Sequence, residues 1–484
     1  MKTLENQPKL AKMASSSSLS SCMYHPWSLR TLFITISLIC TLSLSSLLFF
    51  NTPTSSSSSS SSHMSNSQNT LKDLTFSLKV FVFDLPTSFN YGLLQNYPDP
   101  NRKTGSNREP ISSDHPSLPK NLAIEQHSAE YWLMGDLMTH ESLRNGSFAK
   151  RVYDVEEADV IFVPFFASVS CEMQLSINKR IIANKVKSNK DYIRQLEVVD
   201  LVTNSQAWKR SGGRNFVFVV SDPMAMWHVK REIAPAILLV VDFGAWSGSD
   251  SNTPNRVQLT QVSLLKDVII PYNHLLPVLP LSEDKPRHNL LYFRGGKHRQ
   301  RGGMIRAKLW DLLANEPGVD MEEGTATASG RKQSVTGMRT SEFCLNPAGD
   351  TPTSCRLFDA IQSLCIPVIV SDQIELPYEG MIDYSEFSVF VSAHDALQPK
   401  WLVTHLQNIS KKQREEYRKN LARVQPMFVY DNGYPGGIGP IHPDGAVNQI
   451  WRKVHQKLPM IREAIIRDRR RPPGVSIPRR CHCT

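Results

Sequence analysis

From Ser77 onward the chain alternates two kinds of segment. Short apolar runs without strict in-out alternation are separated by stretches of helical period. The runs are "SLKVFVFDLP", Val160 to Phe166, "NFVFVVSDP", "AILLVVDFG" and "DVIIPY", and the helical stretches include "HSAEYWLMGDLMTHESL" and "DYIRQLEVVDLVTNSQAW". Strands apolar on both faces, spaced by helices, predict a parallel sheet covered on both sides. "PVLPLSEDKPRHN", Pro277 to Asn289, breaks the pattern and reads as a linker. Beyond it the alternation restarts: "LLYFRGG", a helix over about 301–314, "VDMEE", then "FCLNPAGDTPTSCRLFDAIQSLCIPVIVSDQ" and "FSVFVSAHDA". Helical segments at Pro399–Met427 and Ala446–Arg467 follow. The expected fold class is α/β, with two Rossmann-like, doubly wound domains at 77–285 and 286–430 and a helical, basic tail at 431–484. Two such domains leave a cleft at the carboxyl ends of their strands, where open α/β sheets bind ligands.

The residues before Ser77 follow a different pattern. Thr31 to Phe50 is a 20-residue uncharged stretch, long enough as a helix for a bilayer core of about 30 Å. Lys2, Lys9, Lys12 and Arg30 precede it, and a stem with eight serines, Ser55 to Ser62, follows. Positive charge on the short side predicts a cytosolic tail at 1–30, a signal anchor at 31–50 and a stem at 51–76. The remainder then lies across the membrane. A cleaved signal peptide is the rival reading, although its apolar core is usually shorter and nearer the start. Two sequons, at Asn145 and Asn408, suit the lumenal side as glycosylation sites.

That topology changes what charge and cysteine content mean. The formal charge of the 484 residues is +10, which alone would suit nucleic acid, an anionic surface or an acidic substrate. A lumenal body argues against nucleic acid. Six of the eight cysteines would be lumenal, where disulfides form. Cys344 and Cys365 fall on neighbouring predicted strands, either as a pair or as small buried hydrophobes. No CxxC or HExxH occurs, which argues against zinc.

The candidate chemistry lies in two strand–glycine-loop–helix units of the second domain. In "NPAGDTPTS" Gly349 is expected to take an unusual backbone angle, and Thr351, Thr353 and Ser354 are candidate N-caps. Arg356 then falls in the first helical turn. There a cation opposes the helix dipole unless it faces an anion, which guanidinium grips bidentately. The alternative is a surface pair with Asp359. In "FRGGKHRQRGG" Gly295 lies among Arg294, Lys297, His298, Arg299 and Arg301, either as a second phosphate loop or as a solvated basic loop. Neither unit matches the dinucleotide or P-loop fingerprints, so a nucleotide-sugar becomes the leading ligand. No Asp-x-Asp occurs, so no obligatory metal and no other cofactor is expected.

The segments "VFVFDLPTSFNYGLL", "EEADVIFVPFFASVS", "DVIIPYNH", "LLYFRGG" and Phe343 to Val391 together resemble the exostosin-type glycosyltransferases of family 47. Within that family they are most similar to plant arabinosyltransferase-like members linked to pectic arabinan. The resemblance covers roughly Lys79 to Trp451. It implies a GT-B fold, a type II Golgi membrane protein, a UDP-sugar donor, an oligo- or polysaccharide acceptor and inversion at the anomeric carbon. It also implies homo- or hetero-oligomers with other Golgi glycosyltransferases.

Carried onto this chain, the resemblance places Arg294, Gly295, Lys297, Gly349 and Arg356 at the diphosphate, with Glu375 at the ribose or donor sugar. Many members have glutamate at the position of Asp359, here a candidate ribose contact, and glycine at the position of Leu364. Inversion needs a base on the first domain. Asp222 at a strand end leads, with Glu130, His127 and His228 as alternatives. Phe165, Phe166, Tyr272 and Trp246 are either a sugar-stacking wall or core. The sugar stays open: galactosyl, xylosyl and glucuronosyl transfer would use the same diphosphate site, and a non-catalytic partner in a synthase complex is the rival of another kind.

Overall fold

A computed structural model of the chain describes residues 77–97, 115–242, 263–299, 304–324, 327–470 and 472. The expected anchor, tail and stem, Arg301, Trp246 and the last twelve residues lie outside the described residues. Among the described residues no helix is long and apolar enough to cross a membrane. Thr75–Thr484 separates as one unit from Met1–Leu74.

That unit contains two all-parallel sheets. The first has six strands in the order β2-β1-β3-β4-β5-β6, comprising β1 (Leu78–Val82), β2 (Ala149–Val152), β3 (Val160–Phe162), β4 (Phe216–Val220), β5 (Ile237–Val240) and β6 (Val268–Ile269). The second has five in the order β11-β10-β9-β7-β8, comprising β7 (Asn289–Arg294), β8 (Val319–Glu322), β9 (Ser341–Pro347), β10 (Ile366–Val370) and β11 (Val389–Phe390). Every residue of β3, β4, β5 and β10 is buried, as continuous apolar strands between two helical layers must be.

The main helices are α1 (Ala129–Met138), α2 (Ala167–Asn178), α3 (Lys190–Asn204), α4 (Ile305–Leu313), α5 (Ala328–Thr340), α6 (Cys355–Gln362), α7 (Lys411–Val424) and α8 (Ala446–Arg469). The stretch expected as one helix from Asp191 to Trp208 breaks at Ser205. Its hydroxyl accepts from the Trp208 amide and so starts a new helix at Gln206. Leu364 has φ of 52°, a left-handed conformation that glycine takes at lower cost.

Residues 431–469 do not trail away from the body. Trp451 on α8 is fully buried and packs edge-on against Phe162 of β3 at 6.0 Å. The Asn448 side chain accepts from the Phe148 amide at 2.7 Å and donates to the Gly146 carbonyl at 2.6 Å. Tyr91 Oη donates to the Gly436 carbonyl at 2.8 Å. The last helix therefore completes the helical layer over the first sheet.

Cys344 on β9 and Cys365 just before β10 form a disulfide, which selects the paired reading. It closes a loop with a sequence separation of 21. Replacing both cysteines by serine is expected to cost about 3 kcal/mol through unfolded-chain entropy. Urea unfolding of the wild type with and without reductant should show the same loss; equal midpoints would contradict it.

Candidate active site

A cleft of about 730 Å³ opens where the carboxyl ends of the two sheets meet. One wall comes from the segments after β7 and β9 and from α4, α5 and α6. It presents Arg294, Arg299, Arg306 and Arg356. The other wall comes from the start of α1 and the segments after β4 and β6. It presents His127, Asp222, Trp227 and Tyr272.

The arginine wall is held by backbone. Arg356 Nε donates to the Arg294 carbonyl at 2.6 Å and Nη1 to Ser354 Oγ at 3.3 Å, while its guanidinium lies 4.8 Å from the Phe293 ring centre. Arg306, almost fully buried, donates from Nε to the Ala348 carbonyl at 3.0 Å. Neither makes an ion pair with a carboxylate among the described residues, whereas Arg294 pairs with Glu322 at 2.6 Å and Arg299 with Asp350 at 2.8 Å. Burial, with Arg356 and Arg299 adding to it, pushes the Arg306 guanidinium down to about 8. Burial likewise pushes Arg356 down to about 10. An anion between them relieves that cost, because it stabilises the charged form of both groups. Arg356 and Asp359 form no direct ion pair and Asp359 is buried, so the exposed surface pair is not what holds the arginine, although the Asp359 charge favours its cation.

Two glycines admit these guanidiniums. A Cβ at Gly295 would collide with Arg356 Nη2, and one at Gly349 would sit 2.5 Å from Arg306 Nη2. Gly349 was expected to supply an unusual backbone angle; it is not among the positive-φ residues, and close approach is its role instead. Ser354 occupies the N-cap position of α6, yet its side chain caps no amide. Thr353 Oγ1 is buried in the cleft wall without a hydrogen-bond partner among the described residues. Both leave polar capacity facing the cleft.

Other expected residues are placed differently. Lys297 is outside the cleft lining and pairs with Asp311 at 2.8 Å. Asp359 lines the cleft, but its Oδ1 accepts from the Leu275 amide at 2.6 Å and the Leu276 amide at 3.0 Å. Burial raises its carboxyl while those amides oppose the rise, so backbone positioning takes the place of the expected ribose contact. Glu375 follows β10 but does not line the cleft, and burial and the neighbouring Glu379 raise its carboxyl. Arg306 was not singled out from the sequence, because it is embedded in the amphipathic stretch "IRAKLWDLL" with no local sign of function.

On the opposite wall Asp222 Oδ1 accepts from the Met224 amide at 2.7 Å, and Oδ2 lies 3.7 Å from His127 Nε2. His127 Nδ1 is 2.7 Å from the Ser221 carbonyl, so in the neutral ring Nδ1 carries the proton. Glu130 is fully buried, accepts the Ser168 and Val169 amides at the start of α2, and is raised well above its ordinary range by burial. It is a helix-capping group and does not reach the cleft. His228 also lies outside the lining, with Nε2 2.9 Å from the Ile182 carbonyl. Phe165 and Phe166 are core, while Tyr272 lines the cleft 5.1 Å from His127. Trp227, not anticipated, joins that wall. Asn145 and Asn408 are exposed.

The exostosin GT47 domain matches residues 75–406. The chain is similar to the "probable arabinosyltransferase ARAD1" of Arabidopsis thaliana, with 38% identity over 396 residues, 81% of each chain. It is 27% identical over 409 residues to a "probable glucuronosyltransferase" of Oryza sativa subsp. japonica, covering 79% of this chain and 82% of that one. It is 27% identical over 416 residues to the "probable beta-1,4-xylosyltransferase IRX10L" of Arabidopsis thaliana, covering 81% and 84%.

Proposed function

The chain belongs to the exostosin GT47 family and is a glycosyltransferase, and from that premise we propose that it transfers a sugar from a UDP-sugar to a cell-wall polysaccharide with inversion, within a GT-B fold. The carrying observation is the pair Arg306 and Arg356 at the uncapped start of α6, two guanidiniums that form no direct ion pair with a carboxylate among the described residues. The UDP diphosphate lies on that wall and the acceptor glycan against Asp222, Trp227 and Tyr272. An acceptor hydroxyl attacks the anomeric carbon from the face opposite the diphosphate. Its proton passes to Asp222 Oδ2, and the bond to the phosphate oxygen breaks with its electron pair leaving on UDP. The arginines and the free α6 amides stabilise that growing charge. One displacement inverts the centre.

The similarity to a protein named an arabinosyltransferase supports UDP-arabinofuranose as donor and an arabinan side chain of pectin as acceptor. The test is a panel of UDP-arabinofuranose, UDP-galactose, UDP-xylose and UDP-glucuronic acid against arabinan, galactan and xylan oligomers. Arabinose addition to arabinan alone is expected. Preference for another donor or acceptor would replace the sugar assignment, and UDP binding without turnover on any pair would favour the non-catalytic partner.

Transfer is proposed to need no metal, since guanidiniums occupy the place a metal would take at the leaving diphosphate. Turnover should therefore persist in excess EDTA; near-complete loss restored by manganese would overturn this. The Golgi lumen is the proposed compartment, with Thr31–Phe50 as the anchor and Asn145 and Asn408 as glycan carriers.

A further inference from the structure

Segment 270–276, "IPYNHLL", follows β6 and runs between the two walls of the cleft. Its middle residue faces both. On the acceptor side the Asn273 amide donates to the Gln126 carbonyl at 3.0 Å. Its side-chain Nδ2 donates to Ser128 Oγ at 3.2 Å and to the Glu125 carbonyl at 3.3 Å. These three bonds enclose His127, the ring beside Asp222. On the donor side the Asn273 carbonyl accepts from Cys355 Sγ at 3.3 Å, at the first residue of α6. Two and three residues further along the segment, the Leu275 and Leu276 amides donate to Asp359 of the same helix. Tyr272 stands between the two walls, with ring centres 5.1 Å from His127 and 6.1 Å from Phe358.

We infer that Asn273 is a positioning residue: it fixes the distance between the turn that carries His127 beside Asp222 and the helix start that holds the diphosphate. This rests on the UDP-sugar reading of the cleft. Asn273 is buried and does not itself line the cleft, so it acts through its neighbours. Displacement at an anomeric carbon needs the base and the leaving group in line on opposite faces. Misplacement by about 1 Å can cost about 100-fold in rate. The α6 start does not need Asn273 Nδ2 to keep its own geometry, because Arg356 and Ser354 are tied to β7 and to each other.

Binding of UDP and transfer should therefore separate. In the full chain, Asn273→Ala is expected to lower kcat about 10- to 100-fold. The UDP dissociation constant and binding stoichiometry, read by calorimetry, should stay within about 3-fold. Ser128→Ala, which removes one of the two acceptors of Nδ2, should show the same split more weakly and serves if Asn273→Ala does not fold. Loss of kcat in proportion to lost UDP stoichiometry would mean a merely structural residue. Unchanged kcat in a folded variant would also overturn the inference. Failure of the wild type to bind UDP would instead remove the donor reading on which it depends.

Discussion

Arg356→Ala is expected to lower kcat/KM for the UDP-sugar by about 30- to 1,000-fold, equivalent to about 2–4 kcal/mol of transition-state stabilisation. The guanidinium forms no direct ion pair with a carboxylate among the described residues. Its bonds go to the Arg294 carbonyl and Ser354 Oγ, which leaves its charge available to phosphate. That charge matters more as the leaving oxygen becomes an anion, so kcat should fall as well as affinity. Arg356→Lys should recover only part of the activity, because the ammonium cannot hold the carbonyl and span two phosphate oxygens at once. Gly295→Ala tests the same geometry from the other side, since its Cβ would displace the guanidinium. A folded Arg356→Ala variant with near-normal turnover would take the arginine out of the site.

Asp222→Asn should reduce kcat by about 100- to 10,000-fold while leaving UDP binding intact. The amide keeps an oxygen for the Met224 N–H, so the turn after β4 retains its shape and only proton acceptance is lost. Initial rates at saturating donor and acceptor, with UDP affinity measured beside them, decide the point. Near-wild-type kcat would move the role to His127, whose Nε2 is 3.7 Å away.

The strands legible from the sequence were those with long apolar runs, because burial on both faces leaves no alternative composition. β2, "AKRV", was missed: it is a short edge strand with exposed Lys150 and offers little periodicity. α2 and α5 were missed for related reasons. The first begins in small residues and is started by a distant carboxylate, Glu130. The second, "ASGRKQSVTGMRT", is too polar to show an apolar stripe. At the site, arginines next to glycine loops could be singled out because both features are local. Arg306 could not, since its meaning depends on Gly349 arriving from 43 positions along the chain. Asp359 showed the converse failure: its carboxylate was visible, but its partners, the amides of Leu275 and Leu276, were not.

The placement of α8 bears on the order in which the protein is made. Domains generally fold as they leave the ribosome, first half first. Here Phe162 and the 146–148 turn find Trp451 and Asn448 only when the last helix has emerged. The first sheet must wait, with part of one face uncovered, through synthesis of the entire second domain. During that interval it presents an apolar surface for chaperones to cover. A chain released at residue 430 would keep that exposed face and should be degraded, even though every residue lining the cleft had already been made.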